Sequence, residues 1–492
     1  MGILMGVFRE TWAERFGLAL SRNVERWMPD PLIFALILVL ITILMAIVIM
    51  KPYEVMSPPK IMEWLFVNAF YRGLWSLLAF AMQMCLILVT GFAIAYHPIV
   101  YRGLAWLARK PKTTKQAAAL TAAVALIISW IHWGLGLIVG AVLARLIGVE
   151  FYRQRRPLHY PVVCAAGYLG LGLTWHWGLS SSSGLLSNTP GHAFSKLFKD
   201  LFGSELVPLD QTIFHPYAIS LSMLNTIFGI AVMWALAPKR EEVMKGIDVL
   251  APNIIREEIE KEKVAVRGSE KAGEKTIADI LENSKILAGL TALVFLITLV
   301  FWFMPRGFFV GLTLDSLNAI FILAGFLLYM NPIAYMRAIA RATPAVAGII
   351  IQFPFYGAIM GLMQYTSVTP GGPNLATVIA SAIASLSTPF TWPAINWLLS
   401  GLINMFIPSG GGQWVAIGEI LSRVSATLGV PIGKTIISYA AGDMWTNLFT
   451  PFWAIPLLGI TGVRARDIFG YCIAVMLLSM IPYGIGLTLI PY

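Results

Sequence analysis

Charged residues are scarce in this sequence. They make up 12% of its 492 residues, while 58% are hydrophobic and the mean hydropathy is +0.76. This composition excludes a soluble globular protein and predicts a polytopic membrane protein that contacts the lipid bilayer. The net charge of +10 does not predict a nucleic-acid partner, because the basic residues lie in short loops between apolar runs, where they orient a chain in the membrane.

Cysteine and a secretory cleavage motif are also missing or rare. Cys85, Cys164 and Cys472 are odd in number and lie inside apolar runs, which predicts buried, inert thiols rather than a disulfide framework. The N-terminal residues mix arginines with acids and lack a small-residue cleavage pattern. We therefore expect the first apolar run to be a membrane helix and not a removable signal peptide.

The lengths of the apolar runs predict an all-α protein with about nine transmembrane helices. The predicted helices cover about 31–50, 74–96, 160–190, 213–236, 286–304, 314–336, 344–366, 433–460 and 467–490. Helices 160–190 and 433–460 are expected to be broken at the midplane. Runs 116–148 and 392–430 are predicted to be re-entrant hairpins, because basic residues flank the first on both sides and no charged residue or histidine occurs from Ala342 to Gly418.

The distribution of basic loops predicts the orientation. The N-terminus is expected in the cytoplasm and the C-terminus outside, in the inner membrane of a prokaryote. Similar residues at similar spacings, such as Gly134 with Arg145 and Gly412 with Arg423, predict two repeats. The predicted units are a cytoplasmic N-terminal segment (1–30), a first repeat (31–236), a cytoplasmic linker (237–285), a linking transmembrane helix (286–304) and a second, inverted repeat (305–492).

Four interruptions of the apolar runs carry the candidate site. They lie at 130–136, 174–183, 408–414 and 441–447 and are rich in Gly, Ser and Trp. Non-helical backbone at membrane depth is tolerated only where it is buried in protein or lines a cavity, so paired interruptions indicate a transport site. The predicted substrate-binding residues are His132, Gly134, Gly136, Trp175, His176, Ser181, Ser182, Ser183, Ser409, Gly410, Gly411, Gly412, Gln413, Trp414, Trp445, Thr446 and Asn447.

The chemistry of these interruptions predicts the class of substrate. A helix that begins at mid-membrane offers free N–H groups and a positive dipole end to an anion. The four interruptions contain no Lys or Arg that could balance a second carboxylate. A small monoanion is therefore expected rather than a dicarboxylate.

An intramembrane acid and a polar triplet are the candidates for ion coupling. Asp443 is an isolated carboxylate inside an apolar run and is expected to take part in coupling, with capping of a half-helix as the alternative. Ser187, Asn188 and Thr189 are expected to help hold the coupling ion, which is Na⁺ or H⁺, unless they form a plain loop.

Two other sets of residues have a structural as well as a functional interpretation. His132 and His176 suit a proton relay or structural hydrogen bonds. The tryptophans of the interruptions suit a pocket wall or ordinary packing.

Several motifs resemble the short-chain fatty acid transporter family of the acetoacetate-degradation type, which in turn resembles a wider ion-transporter superfamily. They are the sequences ERWMPDP at 25–31, IPSGGGQW at 407–414, GDMWTN at 442–447 and PFWA at 451–454. The resemblance implies a permease for short monocarboxylates such as butyrate or acetoacetate, working by cation symport with an elevator-like alternating-access mechanism. A homo-oligomer is compatible with it, and no cofactor is expected beyond the coupling ion.

Two rival functions fit parts of the sequence. A channel-like anion pathway also uses glycine-rich backbone, but paired interruptions favour alternating access. A membrane-embedded enzyme would bury His and Asp, yet the sequence has no HExxH motif, no nucleophile elbow and no carboxylate cluster with metal-ligand spacing. We therefore expect that the protein is not an enzyme.

Overall fold

The computed structural model describes residues 31–257, 276–405, 407–450 and 452–492. Within these ranges the chain forms helices, turns and loops without a strand, so the predicted all-α class is confirmed. The predicted N-terminal segment 1–30 and residues 258–275 of the predicted linker lie outside the described residues.

The first half of the described chain contains eight α-helices of at least eight residues, one π-helix and several shorter helices. Their bounds are Pro31–Met50, Pro58–Met62 (continued by a π-helix over Glu63–Tyr71 and by Arg72–Leu74), Leu78–Ala95, Pro98–Ala108, Thr114–Ile131, Trp133–Arg153, Tyr160–Tyr168, Gly170–Leu173, Ser182–Ser187, Ser195–Phe202 and Pro216–Leu236. The second half continues with Ile277–Glu282, Lys285–Gly311, Leu314–Tyr329, Pro332–Ala342, Ala347–Gln364, Leu375–Ser385, Trp392–Asn404, Gly410–Thr427, Ile432–Thr446, Ile455–Thr461 and Ala465–Leu489.

Many of these helices are long and apolar enough to cross a bilayer. By length and composition, seven qualify among the described residues, and three shorter apolar helices accompany them. The two segments that were predicted to be broken are indeed interrupted, near residues 174–181 and 447–450. Cys85, Cys164 and Cys472 are buried free thiols, as predicted.

The helical region before residue 74 was not predicted. The sequence pattern predicts no transmembrane helix over residues 51–73, but the structure is helical from Pro58 and continues through a turn towards Ala95. The apolar pattern is interrupted at Lys60, Glu63 and Arg72, so it does not indicate this helical region. The helix lies tightly on Ala347–Gln364, because a Cβ at Gly361 would come within 2.7 Å of the Gly73 Cα.

The predicted linking helix 286–304 corresponds to the first part of the helical stretch Lys285–Gly311. This stretch is interrupted at Gly307, whose φ of 68° and ψ of 176° are not helical and are open to glycine without strain. Pro305 lies just before the interruption, so the end predicted at 304 falls close to it.

Corresponding elements of the two halves match in length. Pro98–Ala108 and Leu375–Ser385 each have 11 residues, and each precedes a helix pair. Leu78–Ala95 and Ala347–Gln364 each have 18 residues. The division into two repeats and their inverted orientation stay predictions.

Two helix pairs and two broken segments enclose the candidate site. The first pair comprises Thr114–Ile131 and Trp133–Arg153, and the second comprises Trp392–Asn404 and Gly410–Thr427. The first broken segment covers 160–187, and the second covers 432–450 and 452–461. Each pair was predicted as a re-entrant hairpin, and how deeply it enters the membrane stays a prediction.

A buried polar ladder joins the second helix pair to the second broken segment. Asn396 donates to the Thr435 carbonyl oxygen at 2.9 Å and to the Ser438 hydroxyl at 2.7 Å. Asn404 donates to the Thr446 hydroxyl and to the Asn447 side-chain oxygen, both at 3.0 Å. Because buried amides need these partners, the ladder holds the pair and the broken segment together.

Candidate functional site

In both helix pairs the second helix begins after a capping residue with the same backbone geometry. His132 has φ −158° and ψ 117°, and its Nδ1 accepts the Leu135 N–H at 3.1 Å. Ser409 has φ −152° and ψ 105°, and its hydroxyl accepts the Gly412 N–H at 3.2 Å. Different side chains thus begin equivalent helices in the two halves by satisfying one orphan N–H.

The interruptions of the first half are joined to each other. The Leu179 N–H donates to the Trp130 carbonyl oxygen at 2.8 Å, and the Trp133 N–H donates to the Ser180 hydroxyl at 2.9 Å. The break of the first pair therefore lies directly against the break of the first broken segment.

The interruptions of the second half meet those of the first. Trp453 Nε1 donates to the Pro408 carbonyl oxygen at 2.7 Å within the second half. Asn447 Nδ2 donates to the Leu171 carbonyl oxygen at 3.1 Å across the halves, and the Tyr168 hydroxyl donates to the Asn447 carbonyl oxygen at 3.0 Å. All four predicted interruptions thus gather in one place.

A cavity lies where the interruptions meet. Its lining residues are Met84, Trp133, Leu171, Trp175, Ser182, Ile349, Phe353, Ser409, Gly410, Gly411, Asn447 and Trp453. The Trp133 ring lies 5.2 Å from the Trp453 ring and 6.1 Å from the Trp175 ring, so three tryptophans form one wall. The lining contains no Lys or Arg among the described residues.

The N-terminus of the Gly410–Thr427 helix borders this cavity. The N–H groups of the first residues of a helix have no intrahelical acceptor. Ser409 satisfies the N–H groups of Gly412 and Gln413 through its hydroxyl and its carbonyl oxygen, respectively. Helix geometry leaves the N–H groups of Gly410 and Gly411, both in the lining, for a ligand.

A buried histidine–aspartate pair lies beside Gly410. His176 Nδ1 is 2.7 Å from Asp443 Oδ2, and both side chains are fully buried. A Cβ at Gly410 would lie 2.7 Å from His176 Cε1 and 3.0 Å from Asp443 Oδ2. The pair therefore touches the helix end that borders the cavity.

The hydrogen bonds of His176 define its tautomer. The Ser183 N–H donates to Nε2 at 3.2 Å, and a backbone amide nitrogen cannot accept a hydrogen bond. Nε2 must therefore carry a lone pair, and Nδ1–H donates to Asp443. Trp175 stacks on the imidazole at 4.2 Å between ring centres and with 10° between the ring planes.

The structure brings many of the predicted residues together. Those in the cavity lining are Trp175, Ser182, Ser409, Gly410, Gly411 and Asn447. His176, Asp443 and Ser183 form the adjacent hydrogen-bonded group.

The predicted residues of the first pair lie outside the lining. His132 caps its helix and packs on Phe321 with 4.0 Å between ring centres, so it is not equivalent to His176 despite the similar sequence around it. Gly134 lies next to the His132 ring, and Gly136 packs on Ser129. Ser181 accepts the Gly184 N–H at 3.2 Å as a helix cap.

The other predicted residues of the second half lie outside the cavity lining and make the following contacts. Gln413 donates to the Ser400 carbonyl oxygen at 2.7 Å, and Thr446 donates to the Gly401 carbonyl oxygen at 2.9 Å. Trp414 packs on Tyr439, and Trp445 donates to the Met476 carbonyl oxygen at 2.8 Å. Gly412 faces the Tyr356 ring.

The polar triplet at 187–189 lies at the end of the first broken segment and outside the cavity lining. Asn188 Nδ2 donates to the carbonyl oxygens of Phe309 and Leu312 at 2.9 and 3.0 Å. Thr189 donates to the Leu185 carbonyl oxygen at 2.7 Å. Ser187 Oγ and Asn188 Oδ1 are buried without a hydrogen-bond partner, so both oxygens are open to a cation.

Sequence analysis missed the apolar part of the lining. Met84, Leu171, Ile349 and Phe353 are ordinary apolar residues of membrane helices, and no sequence pattern distinguishes them. Trp453 is a lining residue that the sequence does indicate, because it belongs to the PFWA motif at 451–454.

The sequence matches a known family over nearly its whole length. Residues 12–490 match the short chain fatty acid transporter family. A relative from Escherichia coli (strain K12), which bears the provisional name of short-chain fatty acid transporter, is 34% identical over 475 residues, or 96% of this chain and 99% of the relative. A relative from Haemophilus influenzae with the same provisional name is 32% identical over 465 residues, or 94% and 97% of the two chains.

Solved transporter structures have a similar fold. The YdaH transporter of Alcanivorax borkumensis superimposes with a TM-score of 0.55 at 16% identity, covering 94% of this chain and 97% of that one. MtrF of Neisseria gonorrhoeae, described as illuminating a class of antimetabolite efflux pumps, has a TM-score of 0.52 at 14% identity, with 95% and 96% covered. At such identities the likeness concerns the fold alone.

Proposed function

Because this chain belongs to the short-chain fatty acid transporter family, we propose that it carries butyrate, acetoacetate or related short monocarboxylates across a prokaryotic inner membrane as a secondary active transporter. One observation supports this most strongly. The cavity joins a helix N-terminus, where the N–H groups of Gly410 and Gly411 have no intrahelical acceptor, to a wall of tryptophans.

The substrate carboxylate has a natural position in this cavity. It would accept the N–H groups of Gly410 and Gly411, where the helix dipole favours a negative charge. The hydroxyls of Ser182 and Ser409 and the amide of Asn447 lie in the same lining and can donate to a carboxylate or to a keto oxygen.

The rest of the lining suits a short apolar tail. Trp133, Trp175 and Trp453 offer flat apolar surface, and Phe353 and Ile349 add to it. A second carboxylate placed against these side chains would be desolvated without a partner, at a cost of several kcal/mol. Because of this cost, we expect the site to select monocarboxylates over dicarboxylates.

Cation symport supplies the driving force in this proposal. Asp443 lies beside the helix end that would hold the substrate, and it can be neutralised by a proton or by a sodium ion. The buried oxygens of Ser187 and Asn188 are the second candidate location for a cation. No other cofactor is needed for transport.

The packing of the second half supports alternating access of the elevator type. The buried amides of Asn396 and Asn404 fix the second helix pair to the second broken segment, so these elements would move as one body. The basic loops of the sequence favour a cytoplasmic N-terminus and an external C-terminus.

Counterflow tests this proposal against a channel. Proteoliposomes are loaded with unlabelled acetoacetate and diluted into a trace of labelled acetoacetate, with protein-free vesicles as the control for passive entry. A carrier produces a transient, saturable overshoot of label inside the vesicles. A channel produces simple equilibration, and that result would reject the proposed carrier.

A further inference from the structure

We infer that the protein takes up one proton when it binds its monocarboxylate, that this proton goes to Oδ1 of Asp443, and that His176 stays neutral throughout. This inference rests on the proposed function and adds the coupling ion, its atom and its stoichiometry. Three features of the His176–Asp443 pair carry it.

The first feature is that His176 is held in its neutral form. The Ser183 N–H points at Nε2 from 3.2 Å, and the Ser183 hydroxyl lies 3.1 Å from the same atom. A proton on Nε2 would set two N–H groups against each other in a fully buried place. The neutral tautomer with Nδ1–H donating to Asp443 satisfies both nitrogens, because Nε2 then accepts from the Ser183 N–H.

The second feature is that one oxygen of Asp443 is open. Oδ2 accepts from His176, whereas Oδ1 is buried without any hydrogen-bond partner. A buried charged oxygen without a donor is costly, and a proton on Oδ1 removes that cost. The carboxyl group also adjoins Gly410, so a negative charge on it would repel an anion bound at the helix end.

The third feature is that the tyrosine hydroxyls around Asp443 already have other hydrogen-bond acceptors. Tyr439 lies one turn earlier on the same helix, and its hydroxyl donates to the Gly410 carbonyl oxygen at 2.6 Å. Tyr483 approaches from the last helix, and its hydroxyl donates to the Gly172 carbonyl oxygen at 3.0 Å. No described Lys or Arg forms a salt bridge with Asp443. The compensating charge must therefore come from solution.

The balance of charge follows from these contacts. The empty site carries the negative charge of Asp443. The loaded site carries the negative charge of the substrate, while a proton from water has formed an O–H bond at Oδ1. Both forms then cross the membrane with the same net charge, so transport is electroneutral, and His176 acts as a positioning residue that keeps Oδ2 occupied and Oδ1 free.

Proton uptake on binding tests this inference directly. Butyrate is titrated into the purified protein in detergent by calorimetry, at pH 7 and without sodium, in two buffers that differ in ionisation enthalpy. We expect about one proton taken up per butyrate by the parent protein and none by Asp443→Asn, which imitates the protonated acid. His176→Gln keeps a donor for Oδ2 and is expected to bind more weakly but still to take up about one proton.

The outcomes separate this inference from the proposed function. If butyrate binds without proton uptake, or only when sodium is present, the inference is wrong and the proposed substrate class stands. Loss of proton uptake in His176→Gln together with its retention in Asp443→Asn would make the histidine the carrier and overturn the assignment. If butyrate does not bind the folded parent protein at all, both are wrong.

Discussion

His176 and Asp443 lie 267 positions apart in the sequence, and they are joined by a hydrogen bond of 2.7 Å between Nδ1 and Oδ2. This contact connects the first broken segment to the second and places a carboxyl group beside the start of the Gly410–Thr427 helix. Both side chains are fully buried, so the contact is insulated from water. The charge of the site thus depends on both halves of the chain.

Replacing Asp443 should separate accumulation from exchange. Asp443→Asn removes the group that a proton or cation neutralises, so accumulation of acetoacetate driven by an imposed pH gradient should fall to the level of protein-free vesicles. Exchange of acetoacetate across the membrane should persist, because Asn fills the same space. The measurement is paired uptake and exchange in proteoliposomes. Accumulation equal to that of the parent would reduce Asp443 to a helix cap, and coupling would then be sought at Ser187 to Thr189.

A methyl group at Gly410 should block the site. Its Cβ would lie 2.6 Å from Trp175 Cη2, 2.7 Å from His176 Cε1 and 3.0 Å from Asp443 Oδ2, closer than van der Waals contact allows. Gly410→Ala should therefore weaken butyrate binding by about tenfold or more, which is about 1.4 kcal/mol. Gly459→Ala is the matched control, because its Cβ meets no atom within 4 Å. Equal affinity in both variants would place the substrate elsewhere.

Removing the Asn396 amide should loosen the second helix pair. Asn396→Ala deletes three buried hydrogen bonds, because Asn396 also accepts from the Ser400 hydroxyl at 3.1 Å. It leaves the Thr435 carbonyl oxygen without that donor, at a cost of about 1 kcal/mol. Thr298→Ala is the control, because Thr298 bonds only to its own helix on an exposed face. Thermal unfolding in one detergent compares the two variants. An unchanged unfolding temperature for Asn396→Ala would argue that the polar ladder does not hold the second helix pair to the second broken segment.

Labelling of introduced cysteines tests the orientation. Cysteines that replace Lys112 and Gln154 should react with an impermeant reagent from the cytoplasmic side, and one that replaces Pro373 should react from outside. All three positions are exposed, and the three native cysteines are buried, so background labelling should be low. Labelling of positions 112 and 154 from opposite sides would contradict the predicted arrangement of the first pair.

Sequence patterns predicted the interruptions but not the pairing between them. Gly410 and Gly411 stand out in an apolar run, because glycine interrupts helices and allows close approach of the backbone. His132 and His176 look alike, since each lies between tryptophans and before a glycine. Only the three-dimensional fold separates them: one caps its own helix, whereas the other reaches Asp443 in the opposite half.

Two further omissions have physical causes. Ile349 and Phe353 line the cavity, but an apolar residue in a membrane helix suits lipid, core and pocket equally well. The helical region from Pro58 was missed because Lys60, Glu63 and Arg72 break the apolar run, although close backbone contact at Gly73 stabilises it.

Competition between substrates tests the central claim most directly. Labelled butyrate is bound to the purified parent protein, and unlabelled butyrate, acetoacetate and succinate are titrated against it at pH 7. The cavity, with a helix N-terminus in its lining and no lining Lys or Arg, predicts that butyrate and acetoacetate displace the label at least about tenfold more effectively than succinate. Stronger displacement by succinate than by butyrate would contradict a site built for short monocarboxylates.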